Sequence, residues 1–348
     1  MDPSGAGETA AAKRAKPPWN SATGVDLLSA LHDDLLAKIL CSVSSPDAVR
    51  TSVLSKRWRY VWKLLPDLHF PFLPEPAGSF GYSLDCHQVP LHHLKVEGHG
   101  HGQGGLPRSL ATWLPAAAHR VSGSFELLIN EAPMRNARPE DEDEDEAATL
   151  ELPCFERAAS ISIGLWFLGR LAFPPATGVF SRLTDLWLED VRFQDPSALG
   201  DAISSARCPC LQTFHICHGL GLEKLAVSST SLVKLDLQRL GLRELTVEAP
   251  ELKELHVVDC FSTPPGAGQL PPPVVSITAP GLVVLDWRDT ITQDAIGFGH
   301  RLPHLRSLGT FLFFVYGDDD ADSYNRDCLR ILQGFRSIET LTLILVVM

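Results

Sequence analysis

Apolar residues recur over residues 222–257 in three fixed columns. Four segments share the spacing L-x-x-L-x-L, with valine allowed in the last column, and each begins ten residues after the previous one. The second and third apolar residues of a copy lie two positions apart, so they share one face of a β-strand, and the first enters the same core from the preceding turn. The copies are 222–227, 232–237, 242–247 and 252–257.

The same spacing returns at wider intervals on both sides of this block. No copy can bury its apolar face alone, so the copies must stack and share one core, as in leucine-rich repeats. Ten residues are too few for a coil, and we predict that two units form one coil with a strand on each side. An antiparallel meander is the rival arrangement, and strand direction separates the two. The wider copies begin at Leu91, Leu183, Leu211, Leu282, Leu305 and Ile338.

Residues 24–70 show the periodicity of helices instead. Ser29 is the candidate N-cap of the first helix, Pro46 suits the first turn of the second, and Ser55 is the candidate cap of the third. A block this small has little hydrophobic core, so we expect it to be stabilised by binding a partner or by packing against the repeats that follow. The apolar positions are Leu31, Leu35, Leu36, Ile39 and Leu40 in the first helix, Val49 and Val53 in the second, and Trp58 and Trp62 in the third.

The remaining segments are predicted to be a terminal tail, a connector and a loop. Residues 1–23 are predicted to be a disordered tail, with a basic cluster at Lys13–Lys16 that is either solvated or a nuclear-import signal. Residues 71–90 are a Pro- and Gly-rich connector, and an acidic loop is expected at about 135–149. The sequence therefore divides into a tail, a helical block at 24–70 and a repeat region at 71–348.

Charge and composition limit the kinds of partner that the chain can bind. The formal net charge of the 348 residues is −12, and seven of the carboxylates lie consecutively at 140–146. The rest of the chain is only mildly acidic, which argues against a nucleic-acid-binding surface. No apolar stretch reaches about 20 residues, so we expect no membrane span. Without a signal peptide, the eight scattered cysteines indicate reduced thiols and a cytoplasmic or nuclear location.

Candidate chemistry is sparse. Cys208, Cys210, His215, Cys217 and His218 lie close together, but their spacing is not one that structural zinc sites use. No phosphate-binding loop, dinucleotide fingerprint or nucleophile elbow occurs. We therefore predict no catalytic residue, no metal and no cofactor, although a catalytic Cys–His pair whose members meet only in the fold stays open at this point.

The helical block resembles the F-box in its plant form. The resemblance is carried by AVRTSVLSKRWRYVW at 48–62, followed by Leu65-Pro66 and Leu68-His69-Phe70. The rest is similar to the leucine-rich repeats that follow the F-box in a large plant family expanded in grasses, with marks at 152–157, 207–210, 249–250 and 279–280. The resemblance implies an α+β multi-domain chain, in which a small three-helix F-box precedes a leucine-rich-repeat solenoid of short parallel strands.

The resemblance also implies a function. The F-box would bind a Skp-type adaptor and through it a cullin, and the repeats would hold an unknown target protein for ubiquitination. The chain would then be a non-catalytic substrate-recognition subunit of an SCF-type cullin–RING ubiquitin ligase. The alternative is a protein-interaction scaffold outside the ligase, or a truncated and partly inactive duplicate. The expected adaptor contacts are Leu31, Leu35, Leu36, Ile39, Leu40, Val49, Val53, Leu54, Trp58 and Trp62, of which some must be internal core.

Target contacts are expected at polar positions between the apolar columns, because such positions form the exposed face of a solenoid. The loops at 261–273 and 317–327 are further candidates. The predicted target-binding residues are Lys234, Asp236, Arg243, Glu244, Thr246, Lys253, Glu254 and His256.

Two departures from the family pattern stand out. His32 occupies the place where the family usually has the proline of Leu-Pro-Asp, and we expect this to weaken the first helix by about 1 kcal/mol or less. The chain ends in an apolar strand over 342–348, where related proteins often continue into a region called FBD. We therefore expect a shortened family member that lacks this region.

Overall fold

A computed structural model describes residues 28, 30–72, 77–100, 106–131, 149–167, 169–174, 178–195, 197–261, 273–289, 302–316 and 338–347. The predicted tail, the proposed cap Ser29, the acidic loop up to residue 148 and the loop residues 262–272 and 317–327 lie outside this set.

The N-terminal block folds into the three short helices that the sequence predicts. The hydroxyl oxygen of Ser44 accepts a hydrogen bond from the Asp47 amide at 3.3 Å, and Pro46 occupies the first turn of the second helix. Ser55 accepts a hydrogen bond from the Trp58 amide at 3.4 Å, but the N-cap position of the third helix is Arg57, whose side chain makes no capping bond. The helices are α1 (Asp33–Leu40), α2 (Ser45–Arg50) with a 3₁₀ turn at Thr51–Val53, and α3 (Trp58–Val61) with a 3₁₀ turn at Trp62–Leu64.

A large sheet of parallel strands runs through the described residues from the end of the helical block to residue 347. All the strand pairs recorded in it are parallel, which supports the solenoid and excludes the antiparallel meander. In order across the sheet, its strands are β1 (Asp67–Phe70), β2 (Leu91–Gly100), β3 (Val121–Glu131), β5 (Ser160–Gly164), β7 (Asp185–Phe193), β8 (Thr213–Leu220), β10 (Lys234–Gln238), β12 (Glu254–Val258), β14 (Val284–Arg288), β15 (Ser307–Tyr316) and β16 (Thr340–Val347), and β4 (Thr149–Glu151) and β6 (Arg170–Ala172) join beside β7.

A second, three-stranded parallel sheet contains β9 (Lys224–Ser228), β11 (Glu244–Glu248) and β13 (Val274–Thr278). The ten-residue units therefore alternate between the two sheets: β9 and β11 lie in the small sheet, whereas β10 and β12 lie in the large one. Lys234 is in register with Glu254, exactly one pair of units later. This confirms that two units form one coil.

The corners of the coils are set by left-handed backbone. Asp190, His218, Arg239 and Asp259 occupy equivalent positions of four large-sheet strands, with φ between 50° and 54°. Asp190 and His218 lie within β7 and β8, whereas Arg239 and Asp259 directly follow β10 and β12. Gly221 and Gly241, with φ of 79° and 67°, lie just before the small-sheet strands. Non-glycine residues in this region cost about 1–2 kcal/mol each. The packing of leucine and valine between the two sheets therefore has to offset a strain that is repeated in each coil.

Two strands of the large sheet do not follow the leucine pattern of the repeats. In β5 the three columns hold Ala158, Ile161 and Ile163, all buried, so the spacing is kept while the residue types change. In β3 the pairing with β2 shifts register near Gly123, where a β-carbon would lie 2.2 Å from the His92 carbonyl oxygen. A glycine is required there because the backbones of β2 and β3 approach too closely for any side chain.

The helical block joins the solenoid through shared packing. Strand β1 follows the third helical segment directly and pairs with β2. Trp62 contacts the ring of His87 edge to face at 5.8 Å, and the Gln88 amide donates to the Lys63 carbonyl at 3.0 Å. Two further helices, α4 (Ala77–Asp85) and α5 (Leu106–Arg120), belong to the first coils, and α6 (Ala198–Ala202) is a short helix near β9. The block therefore packs against the repeats.

Candidate protein-interaction surfaces

Helix α1 has two apolar stripes with different surroundings. Leu36 and Leu40, four residues apart, are buried in the core of the chain. Leu35 and Ile39, also four residues apart, lie on the solvent side, with 47% and 44% of their surface exposed. An exposed stripe of large apolar residues adds nothing to the internal core, so it is available to a partner.

The turn after α2 also exposes apolar side chains. Val53 is 83% exposed and Leu54 is 66% exposed. The hydroxyl of Thr51 donates to the Ala48 carbonyl at 2.6 Å and ties the turn to the preceding helix. We call Leu35, Ile39, Val53 and Leu54 the helical patch.

An ion pair links the first and third helical segments. The Arg57 Nε atom lies 2.7 Å from Asp33 Oδ1, and the same guanidinium donates to the Leu31 carbonyl. The Arg57 and Asp33 side chains are both partly exposed, so the electrostatic gain is modest and the contact mainly fixes relative position.

Eight polar residues and one tryptophan, from nine strands, form a continuous row on the outer side of the large sheet. Neighbouring members are in direct register from strand to strand. We call this side of the sheet the open face. The row consists of His69, Lys95, Glu126, Ser162, Trp187, His215, Asp236, His256 and Asp286.

Imidazoles and carboxylates alternate at one end of this row. His215 Nδ1 lies 3.2 Å from Asp236 Oδ2, and His256 Nδ1 lies 3.7 Å from Asp286 Oδ2. Burial alone would raise the pKa of the Asp236 carboxyl, but His215 and Gln238 outweigh it and hold this pKa below its usual value. The Asp286 carboxylate raises the pKa of His256, although burial opposes it.

Comparison with known proteins identifies the helical block. The F-box domain family matches residues 28–70. The chain carries an F-box. F-box domains are protein-interaction modules, and here the domain precedes a leucine-rich-repeat solenoid.

Curated relatives from Arabidopsis thaliana combine the same two parts. One, named an F-box/LRR-repeat protein, is 29% identical over 252 residues, which cover 68% of this chain and 65% of the relative. Another, named a putative F-box/FBD/LRR-repeat protein, is 26% identical over 321 residues, or 89% of this chain and 60% of the relative. A putative F-box protein is 56% identical over 48 residues, or 14% of this chain and 10% of the relative.

The chain therefore spans only part of the length of its relatives. The match covers 65% and 60% of the first two relatives above, and 55% of a putative F-box/LRR-repeat protein from the same plant. No solved structure gives a significant match.

The structure sorts the predicted adaptor contacts of the F-box into three groups. The helical patch is exposed, and Leu31 and Val49 are partly buried against the core. The remaining four lie in the internal core and cannot contact a partner in this conformation. These four are Leu36, Leu40, Trp58 and Trp62.

Sequence reasoning missed three exposed apolar residues of the F-box. Leu28, Val43 and Tyr60 have 51%, 46% and 57% of their surface exposed. Val43 directly follows the apolar stripes of α1, and this continuity was the available signal.

The predicted target contacts fall on two different sides of the solenoid. Lys234, Asp236, Glu254 and His256 lie on the open face of β10 and β12, where Lys234 Nζ and Glu254 Oε2 form an ion pair at 3.0 Å. Arg243, Glu244 and Thr246 belong to the small sheet or the turn before it, and Lys253 lies in the turn before β12. A small partner therefore cannot contact all of them at once.

The five residues considered for zinc are dispersed. Cys208 is buried and its thiol donates to the Ala202 carbonyl at 3.1 Å, whereas Cys210 is exposed. His218 Nδ1 lies 2.8 Å from Asp190, and its Nε2 contacts Arg239 at 2.6 Å. In the described part of the chain, no three His, Cys, Asp or Glu side chains are grouped as metal ligands. Nor do the helices described there include one long and apolar enough to cross a membrane.

Proposed function

We propose that the chain is a substrate-recognition subunit of an SCF-type cullin–RING ubiquitin ligase. Its F-box binds a Skp-type adaptor and through it a cullin, and its repeats hold a target protein. The observation that carries this proposal is the helical patch, four large apolar side chains left exposed on a module whose internal core is complete without them.

The contribution to ubiquitination is proximity. Holding a target beside a ubiquitin-charged enzyme raises the effective concentration of the target lysine and needs no catalytic group in this chain. Such a complex works in the cytoplasm or the nucleus, and we propose this location for the protein.

The test is binding of the full chain to a purified plant Skp-type adaptor. The test variant is Leu35→Asp/Val53→Asp, because both side chains are exposed and their change should leave the fold intact. Placing carboxylates in an apolar interface should weaken binding at least about 100-fold. Trp58 is unsuitable for this purpose, since it is buried and its replacement would damage the domain itself.

Val274→Asp is the matched control. Val274 is also an exposed apolar residue, but it lies on β13 in the small sheet. Circular dichroism should give the same spectrum for all three proteins. Unchanged binding of the double variant would overturn the predicted contact, and a folded wild-type chain that does not bind the adaptor would overturn the ligase function in favour of a scaffold.

A further inference from the structure

The open face has a trough above strand β5. The outward positions of β5 hold the small residues Ser160, Ser162 and Gly164, of which Gly164 is buried between its neighbours. The residues in register with Ser162 and Gly164 on β3 and β7 are much larger. Adjacent strands are about 4.8 Å apart, so the strands on either side of β5 are separated by about 10 Å. This width admits one extended side chain or one peptide strand.

The walls of the trough are paired in register. Glu126 and Trp187 flank Ser162, while Leu128 and Glu189 flank Gly164. A β-carbon placed on Gly164 would lie 3.5 Å from Leu128 Cδ2 and 3.9 Å from Glu189 Cβ, so the two walls approach each other closely at this end. Each wall therefore offers one apolar side chain and one carboxylate.

Trp187 is the most unusual residue of the open face. Its ring packs against His215 with centroids 4.6 Å apart, yet 38% of the residue remains exposed. An indole that is fixed on one side and accessible on the other is a suitable platform for an apolar stem or for a cation.

The charge of the surrounding face indicates the sign of the ligand. Three of its cations lie beside carboxylates: Lys95 lies 2.9 Å from Glu97, Lys234 lies 3.0 Å from Glu254, and Arg288 lies 2.9 Å from Asp286. Arg170 on β6 and Arg192 on β7 are two further outward cations. The outward carboxylates of the described strands outnumber these five cations. They are Asp67, Glu97, Glu126, Asp185, Glu189, Asp236, Glu254 and Asp286.

The two carboxylates of the trough have the looser contacts. Glu126 lies 3.7 Å from Lys95 Nζ, which is closer to Glu97, and Glu189 lies 3.9 Å from His215 Nε2. Both could therefore approach an incoming cation without breaking a short ion pair.

We propose that this trough binds a basic side chain of the target protein. The aliphatic stem would pack on the exposed side of the Trp187 ring, and the charged group would lie between the carboxylates of Glu126 and Glu189. Arginine should bind better than lysine, because a planar guanidinium can stack on the indole and donate to both carboxylates. The inference deepens the proposed function, since it rests on the repeats holding the target.

The experiment measures binding of defined peptides to the full chain by fluorescence anisotropy. The probes are labelled peptides of Gly and Ser with two central residues that are both Arg, both Lys, both Gln or both Glu. We expect the Arg peptide to bind at least about 10-fold more tightly than the Gln peptide, and the Glu peptide to bind least. Glu126→Gln/Glu189→Gln and Trp187→Ala should each reduce binding of the Arg peptide about 5-fold or more, whereas Trp187→Phe should retain most of it.

The control variant is Glu248→Gln/Glu251→Gln, which removes the same charge near the small sheet, away from the open face. An equal loss in this control would mean that overall charge attracts the peptide, and would overturn the proposal. Equal affinity for the Arg and Gln peptides, or no binding of any peptide at millimolar concentration, would overturn it as well.

Adaptor binding is measured on the same variants to separate this inference from the proposed function. The trough variants should bind the Skp-type adaptor as tightly as the wild type. If the adaptor binds but the peptides show no preference for Arg, the trough proposal alone fails. If the trough prefers Arg but the adaptor does not bind, the ligase function alone fails.

Discussion

The F-box helices and the repeat strands place similar apolar residues in different surroundings. In β10, Leu235 and Leu237 point inward and are fully buried. In α1, Leu36 is fully buried while its neighbour Leu35 is half exposed. A strand of the large sheet has one buried face, so the alternation of its side chains decides which residues are buried. A short helix can carry a second apolar stripe that is not buried. In the function that we propose, the apolar residues beyond those needed for burial form the interacting surface.

The largest expected effect tests this difference directly. Leu235→Ala should lower the free energy of unfolding by about 2–5 kcal/mol, because it leaves a cavity between the two sheets. Leu35→Ala removes the same atoms but should cost less than about 1 kcal/mol. The measurement is guanidinium-induced unfolding followed by circular dichroism. Equal losses in the two variants would contradict the distinction between core and patch.

A buried cation should produce the next largest effect. Arg207 donates to the carbonyls of Gly178 and Pro174, both at 3.0 Å, and its side chain is almost fully buried. Arg207→Met should cost about 3 kcal/mol, since both carbonyls lose a charged donor. Arg182→Met, at an exposed position, is the control and should change stability by less than about 0.5 kcal/mol. Thermal unfolding of both variants provides the measurement, and similar midpoints would refute a structural role for Arg207.

The repeat architecture could be predicted from the sequence because its signal is geometric. The ten-residue spacing of Leu225, Leu235, Leu245 and Leu255 already implied two strands per coil. The spacing alone left an antiparallel meander open, and the parallel strand pairs of the structure decide in favour of the solenoid. Strand β5 was missed because its first apolar position is Ala158, whereas the pattern that predicted the other strands has a large residue there. Stacking of the coils requires the spacing of the apolar positions, and a smaller side chain is accepted where it still fills the core.

The interaction surfaces could be predicted only in part. The periodicity of α1 placed Leu35 and Leu36 in the same apolar set, and only packing shows that they face opposite environments. Similarly, Thr246 and His256 occupy the same position of the repeat, but the alternation of units between two sheets places them on different sheets. The trough was not foreseen because it depends on which strands become neighbours across the coils.

Acid should weaken the junction between the two regions. His87 is 2% exposed beside Trp62, and burial lowers its pKa to about 4. The unfolded chain takes up this proton near pH 6.5 and the folded chain only near pH 4, so stability falls as the pH drops between these values. The loss is about 1 kcal/mol at pH 5.5, and it should largely disappear in His87→Phe. The measurement is the thermal midpoint at pH 7 and pH 5.5.

His256 on the open face should show the opposite dependence of stability on pH. The raised pKa of His256 stabilises the fold below about pH 6.5, and this contribution is lost as the pH rises through the folded value. His256→Gln should therefore be relatively less stable than the wild type at pH 6 and closer to it at pH 8. If His87→Phe and His256→Gln shifted the pH profile in the same direction, the assignment of both imidazoles would be wrong.

The smallest effect concerns the first turn of the F-box. His32 has φ of −68° and ψ of 152°, and its side chain makes no capping hydrogen bond to α1. Proline fixes φ near this value, so His32→Pro fits the existing backbone and restricts the unfolded chain. We expect a gain of about 0.4–1 kcal/mol in the free energy of unfolding, with His32→Ala as the control that lacks this restriction. The exposed contact of His32 with Asp34 at 3.2 Å contributes little against this gain. Adaptor affinity should rise slightly with the stability of α1, and a loss of stability in His32→Pro alone would show that the preceding residue Leu31 cannot adopt the extended conformation that proline requires.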